Sequence, residues 1–398
     1  MARRLALKRH GLALIIAIVS AASWQSVLAG NVFGSSWYEG RLLRVMGTKS
    51  ADTPEFFTSV QHLTGSDWTH VADLSGNWKQ LYRPGDGQNL AISRSQAQLG
   101  VFFQDWGMAY IRRRDISITA NRDALDLLYL QKNNLSSPAG TVFHPEVHAS
   151  AFSAHGPHIN RRLTLLERED FRLQGAVGIG YLTGVSMRQA DLQGLVQKTN
   201  DANYSLIIPT LSDIDANKTY PFMGDSHPSG SGYAVDIALH ATWQDQHQAW
   251  LLIDDWQTRM HWKQVPSTRA TADSRTVGLG QDGYLAYAPA IQGKNARLDL
   301  TQRIESTVTL GYARDVGPVM LSAESIRISG IYIPSVAIGY RAGDNIRWVV
   351  GKELRFHTLS AGLNWNNWSI LAFSQRPDVS SSQGYGFTLR YQMNVASP

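Results

Sequence analysis

The dominant pattern along the chain is a period of two. From Gly384 to Val395, the positions Tyr385, Phe387, Leu389, Tyr391, Met393 and Val395 alternate with Gly384, Gly386, Thr388, Arg390, Gln392 and Asn394. One face is apolar and the other small or polar, which marks a strand with two chemically different sides. Tyr233, Val235, Ile237, Leu239, Ala241 and Trp243 stand in the same way against Ala234, Asp236, Ala238, His240, Thr242 and Gln244. Runs of ten or more alternating residues suit a tilted membrane strand better than the shorter strands of a soluble sandwich.

Between Ile346 and His357, the pattern predicts that Ile346, Trp348, Val350, Leu354 and Phe356 face one way. Arg347, Gly351, Glu353, Arg355 and His357 face the other, and Lys352 is placed to snorkel from the apolar side. Shorter stripes cover 173–181, 308–312, 336–340 and 359–365, joined by turn sequences such as Asn366-Asn367. Strand candidates number twelve to sixteen, and closure favours an even count, so about 14 is the expectation. Trp243, Trp250, Trp365, Trp368, Tyr340 and Tyr391 fall near strand ends, as aromatic girdles at lipid headgroups require. The expected fold is all-β, a transmembrane antiparallel up-and-down β-barrel over residues 90–398.

Two stretches depart from the pattern. Thr53 as N-cap, Pro54 behind it, Phe56, Val60 and Leu63 on one face and Gly65 as a stop predict a short helix in an N-terminal segment spanning 30–89. Residues 185–232, rich in Asn, Asp, Ser and Pro, read as a long loop. Barrels have short periplasmic turns and long external loops, so this one is expected outside.

The N-terminus sets an address. Arg3, Arg4, Lys8 and Arg9 precede an apolar run from Leu12 to Ala22, too short to anchor as a helix, and small residues place a cleavage site after Ala29. Residues 1–29 are thus expected to be a signal peptide, and the mature chain to reach the outer membrane. Asn31 stands where a lipidated cysteine would be needed, so no lipid anchor is expected. The absence of cysteine excludes disulfide stapling and thiolate chemistry. Four of the 37 basic residues and none of the 32 acidic ones precede residue 30, so the formal charge of +5 belongs largely to the signal and no nucleic-acid partner is expected.

Strand parity puts Asp236, His240, Arg347, Glu353, Arg355 and Arg390 on the polar, lumen-facing side. Arg112, Arg113, Arg114 and Asp115 mark a strand end or turn, where they could ring a mouth or grip lipid phosphates; a solvated rim is the preferred reading. His144, His148, His155 and His158 fall in a Pro- and Gly-containing segment that reads as a loop. Their spacing matches no tight metal motif, so solvated histidines are preferred to a metal site. Gly224-Asp225-Ser226 and His227-Pro228-Ser229-Gly230 superficially resemble esterase and outer-membrane phospholipase motifs, but lack the surrounding pattern. The chain is read as a non-enzyme without a cofactor.

At the last strand, Gly386-x-x-Leu389-x-Tyr391 resembles the C-terminal signal of Gram-negative outer-membrane barrels, although Val395-Ala396-Ser397-Pro398 follows it. The strand Tyr233 to Gln244 and its Trp-rich successor, Trp250 to Trp262, are similar to barrels of the long-chain fatty-acid transporter and TraF-like type. That resemblance implies a channel or transporter for small or apolar solutes, or an accessory barrel of a secretion, surface-polymer or conjugation system. The partners it implies are outer-membrane lipid, the barrel-assembly machinery and, in the accessory case, an envelope complex.

Overall fold

The computed structural model describes residues 41–42, 53–200, 203–220, 222, 224, 227–274, 277–279, 285–287, 290–343 and 345–394. The expected signal peptide and the last four residues lie outside them. In chain order the strands are β1 (Glu55–Ser66), β2 (Asn89–Phe103) and β3 (Trp106–Ala120), followed by helix α1 (Arg122–Lys132). Then come β4 (Val142–Phe143), β5 (Glu146–Arg168), β6 (Phe171–Lys198), β7 (Tyr204–Asp215), β8 (Ser229–Trp243), β9 (His247–Asp254) and β10 (Thr258–Asp273). After the small hairpin β11 (Val277–Leu279) and β12 (Leu285–Tyr287), the wall resumes with β13 (Ile291–Ile304), β14 (Thr307–Val316), β15 (Val319–Ile328) and β16 (Ile331–Arg341). It ends with β17 (Ile346–Glu353), β18 (Leu359–Trp365), β19 (Trp368–Ser374) and β20 (Gly384–Asn394).

Neighbouring strands pair antiparallel, and β20 returns to β1 with Glu55 opposite Asn394 and Thr64 opposite Tyr385, so the sheet closes on itself, with β13 extending beyond it on the edge of β10. Three staves are interrupted. β7 and β8 both pair with β6, β9 and β10 both flank β8, and β13 and β14 continue one another along β10 and β9. With those doublets counted once and the two-residue β4 set aside, the 18 strands of the sheet form fourteen staves. This lies within the expected twelve to sixteen.

The barrel is inside-out. Phe56, Leu99, Trp106, Met108, Ile179, Leu310, Ile338 and Val350 are about half exposed on the outer face, while Gln96, Gln98, Arg94, Asn160, Gln174, Asp236, Glu353 and Arg390 are buried within. An exposed apolar surface of this extent is untenable in water and is what a bilayer solvates. At one end the wall turns in two to four residues, at 104–105, 169–170, 317–318 and 366–367, with Gln104, Gly317 and Asn366 at positive φ. Trp106, Trp243, Trp365, Trp368 and Tyr391 cluster at this end as a girdle, with the Trp368 and Tyr391 rings 4.6 Å apart and Arg161 over Trp106 at 5.1 Å. The other end carries the longer connections 67–88, 121–145, 274–290 and 375–383.

Several sequence expectations are corrected here. The helix predicted at Thr53–Leu63 is strand β1, so the barrel starts at Glu55 rather than at residue 90. Phe56, Val60 and Leu63 do recur at helical spacing, but Phe56 and Val60 are exposed while Phe57 and Leu63 are buried, and closure of the sheet captures the segment from both sides. The expected loop 185–232 is mostly strand: β6 runs to Lys198 and β7 follows. These strands rise beyond the lipid-facing band, and apolar and polar residues share each face, as with Leu206, Ile207 and Ile208 in succession on β7, so the alternation is lost. Phe356 turns inward rather than outward because the tight 354–358 connection, with His357 at φ 57°, shifts parity.

The 67–88 connection and α1 form a small cap. Trp68 and Trp78 meet edge-on at 6.2 Å, Trp78 stacks on Tyr82, and Tyr82 on Tyr129 at 4.2 Å. Asn121 caps the helix, its side chain accepting from the Ala124 N–H. The Tyr82 hydroxyl donates to Asp126 at 2.6 Å, and burial together with that carboxylate holds its titration well above the ordinary phenol range. Tyr82→Phe is expected to cost about 1–2 kcal/mol locally, measured as faster proteolytic cleavage within 67–88 at unchanged barrel stability.

Candidate functional site

The inward residues converge on one buried ion-pair network. Gly178 on β6 faces Asp236 on β8, and any Cβ there would meet the His158 ring at 2.5 Å and Leu42 at 2.9 Å, so the glycine makes room for both. Between β9 and β10 the wall breaks at Asp254-Asp255, and Asp255, at φ 60°, turns its N–H onto Asp236 Oδ1 at 2.8 Å. β3 supplies Arg113. Arg41 enters from the N-terminal segment and is only 4% exposed.

Arg41 grips Asp236 twice, Nε to Oδ2 at 2.7 Å and Nη2 to Oδ1 at 2.5 Å. Its Nη2 also reaches Asp255 at 2.9 Å, and its backbone N–H donates to Asp254 at 3.1 Å. Arg113 binds both oxygens of Asp255 at 2.8 Å, pairs with Asp115, and lies 4.6 Å above the Phe152 ring. His158 Nε2 stands 2.9 Å from Asp236 Oδ2, and Thr258 donates to Asp255 at 2.8 Å. Two arginines thus face four carboxylates and one imidazole. Leu42 follows Arg41 into an apolar cluster with Phe57, Phe102, Trp250, Leu252 and Met320. The arrangement fastens residues 41–42 inside the barrel.

Beside the network the β5–β6 ladder skips two residues. β5 pairs with β6 at His155–Thr183 and again at His158–Gly180, while Gly156 and Pro157 have no partner on β6 but stay opposite Ile111 and Tyr110 on β3. Proline has no N–H to donate, and a Cβ on Gly156 would lie 1.9 Å from the Tyr181 carbonyl. Behind this step lies a small void of about 10 Å³, room for roughly one water, lined by Arg41, Ile111, Arg113, Leu182 and Ala234 among others.

Among the residues expected in the lumen, Asp236 is the hub of the network. His240, Arg347 and Arg390 are buried on the inner face, Arg347 reaching Met320 Sδ at 3.5 Å and Arg390 standing near Glu55. Glu353 and Arg355 have local work: Glu353 accepts the Phe356 N–H at 3.0 Å and the Arg355 N–H, and Arg355 pairs with Asp67 in the neighbouring loop. Arg112–Asp115 is no strand end; it lies in mid-β3. The histidine segment is strand β5 with the preceding bend, and its side chains diverge. His144 is exposed outside the strand, His148 meets Asp191, His155 meets Tyr110 on the outer face, and His158 points inward. Asp225 and Ser226 lie outside the described residues. Arg41 and the Asp254-Asp255 pair were not anticipated; the break in alternation after Ile253 is the one signal the sequence carries for them.

These features define the class: a closed transmembrane β-barrel of the outer-membrane type with an occupied, polar lumen. No protein-family profile matches the sequence, and no curated protein does. Among solved structures the chain is similar to the TodX deltaS2S3 mutant monoaromatic hydrocarbon channel, with a TM-score of 0.43 and 10% identity over 91% of this chain and 96% of that one. It is also similar to the P. putida toluene transporter TodX (0.41; 9%; 92% and 96%) and to a Pseudomonas aeruginosa FadL homologue (0.38; 11%; 90% and 95%). The barrel assignment rests on the ladders and on the inside-out distribution of side chains.

Proposed function

We propose that the chain is an outer-membrane channel for small apolar solutes, with the signal peptide removed near Ala29 and the inward residues Asp236, His240, Arg347 and Arg390 lining its interior. The observation that carries this reading is the closed inside-out barrel in whose β5–β6 ladder the Gly156-Pro157 step is unpaired, beside a small void. Ile111, Pro157, Leu182 and Ala234 line the small void behind the step, and Tyr181 lies across it, so a parting of β5 and β6 here would let an apolar solute pass to lipid along apolar side chains. The test is uptake of a small apolar fluorophore into liposomes holding the purified barrel. Uptake well above that of protein-free liposomes is expected. Silent liposomes, together with a stable co-purifying envelope partner, would favour an accessory barrel instead.

A further inference from the structure

The arginines of β3 divide at the wall. Arg113 points into the lumen, whereas Arg112 and Arg114 are exposed on the outer face. On that face, nearer the short-turn end, β3 presents Trp106, Met108 and Tyr110, each about half exposed. Toward the other end, Ile118 and Ala120 are covered by the cap of Trp68, Trp78 and Leu125, whose solvent-exposed ion pair Arg122–Asp86 keeps it out of hydrocarbon. The two arginines therefore occupy the zone between the lipid band and a hydrated module.

Among the described residues they meet no counter-charge. Their cross-strand neighbours are Ala97 and His155 for Arg112, and Ser95 and Ser153 for Arg114. His155 is taken up by the Tyr110 hydroxyl at 2.5 Å, and Ser95 by His62 at 2.8 Å. Among the described residues no carboxylate pairs with either arginine, whereas Arg122, Arg162 and Arg188 each have one. An arginine on the lipid face costs about 2–4 kcal/mol at the bilayer midplane, so an unpaired couple is tolerable only where an anion meets it.

We propose that Arg112 and Arg114 bind the phosphate of a phosphorylated glycolipid in the outer leaflet. They stand about 6–7 Å apart along one strand face, close enough for two guanidinium forks to hold one phosphate or bridge two. The site opens toward lipid rather than bulk water, so its anion arrives with acyl chains attached, and Tyr110, Met108 and Leu99 lie where those chains would run.

The test uses the full-length barrel in detergent, titrated with bisphosphorylated lipid A while its unfolding temperature is followed by gel mobility. Lipid A is expected to raise that temperature, and inorganic phosphate at matched concentration to leave it unchanged. The double variant Arg112→Gln/Arg114→Gln is expected to bind lipid A roughly thirtyfold more weakly and to unfold at the parent temperature without lipid. Unchanged affinity in the double variant, equal binding of dephosphorylated lipid A, or an equal response to inorganic phosphate would each overturn the proposal. Should the glutamine pair fail to fold, Arg112→Lys/Arg114→Lys carries the test, since it keeps the charge and loses the fork: weaker binding supports the site, and unchanged binding refutes it.

Discussion

Asp236→Ala is expected to lower the unfolding free energy of the barrel by about 3–5 kcal/mol, the range for deleting one partner of a buried ion pair. Asp236 is fully buried and takes four hydrogen bonds, two from Arg41, one from His158 and one from the Asp255 N–H. Alanine removes all four bonds at once and leaves the Arg41 Nε, the His158 ring and the Asp255 N–H without this acceptor. Arg41 retains Asp255 at 2.9 Å, so the segment it belongs to is loosened rather than expelled, and cleavage by trypsin after Arg41 should accelerate. Asp236→Asn keeps the volume and part of the hydrogen bonding, so a smaller loss is expected. Urea titration of the heat-modifiable band measures both. A loss below 1 kcal/mol in the alanine variant would mean that the network is not what fastens residues 41–42.

The residues legible in the sequence were those on staves with lipid on one side and lumen on the other. On β8, Ala234, Asp236, Ala238 and His240 are buried as the parity requires, and on β20 Thr388 and Arg390 are buried while Phe387 and Leu389 are exposed. Where those two environments are not opposed, the period carries no information. The upper halves of β6 and β7 lie above the lipid, and β1 mixes Phe57 inside with Phe56 outside. Gly156-Pro157 signalled a loop and turned out to be a local gap in a 23-residue strand, since β3 holds β5 on the other side. The site was half visible: parity exposed Asp236, but its partners Arg41, Asp254 and Asp255 come from a segment without alternation and from a break between two strands. Their convergence is a property of closure, which brings residues 195 positions apart into one hydrogen bond.

Filling the cavity behind that gap is expected to stop permeation. Ala234 is buried on β8 and lines the cavity together with Leu182 across β6 and Pro157 at the gap. The void beside the Ala234 methyl is about one water in size, so a phenylalanine ring at 234 would fill it and press on Leu182 and Pro157. Overpacking costs about 1–3 kcal/mol, less than the loss expected at Asp236, so the variant should still fold and keep its heat-modifiable mobility. If apolar solutes pass between cavity and lipid, their uptake into liposomes should fall roughly tenfold in Ala234→Phe, equivalent to about 1.4 kcal/mol on the limiting barrier, and by less in Ala234→Leu. A solute moving straight through the lumen would be little affected by either change. Undiminished uptake in a folded Ala234→Phe barrel would therefore relocate the path away from Gly156-Pro157, while loss graded with side-chain size would fix it there.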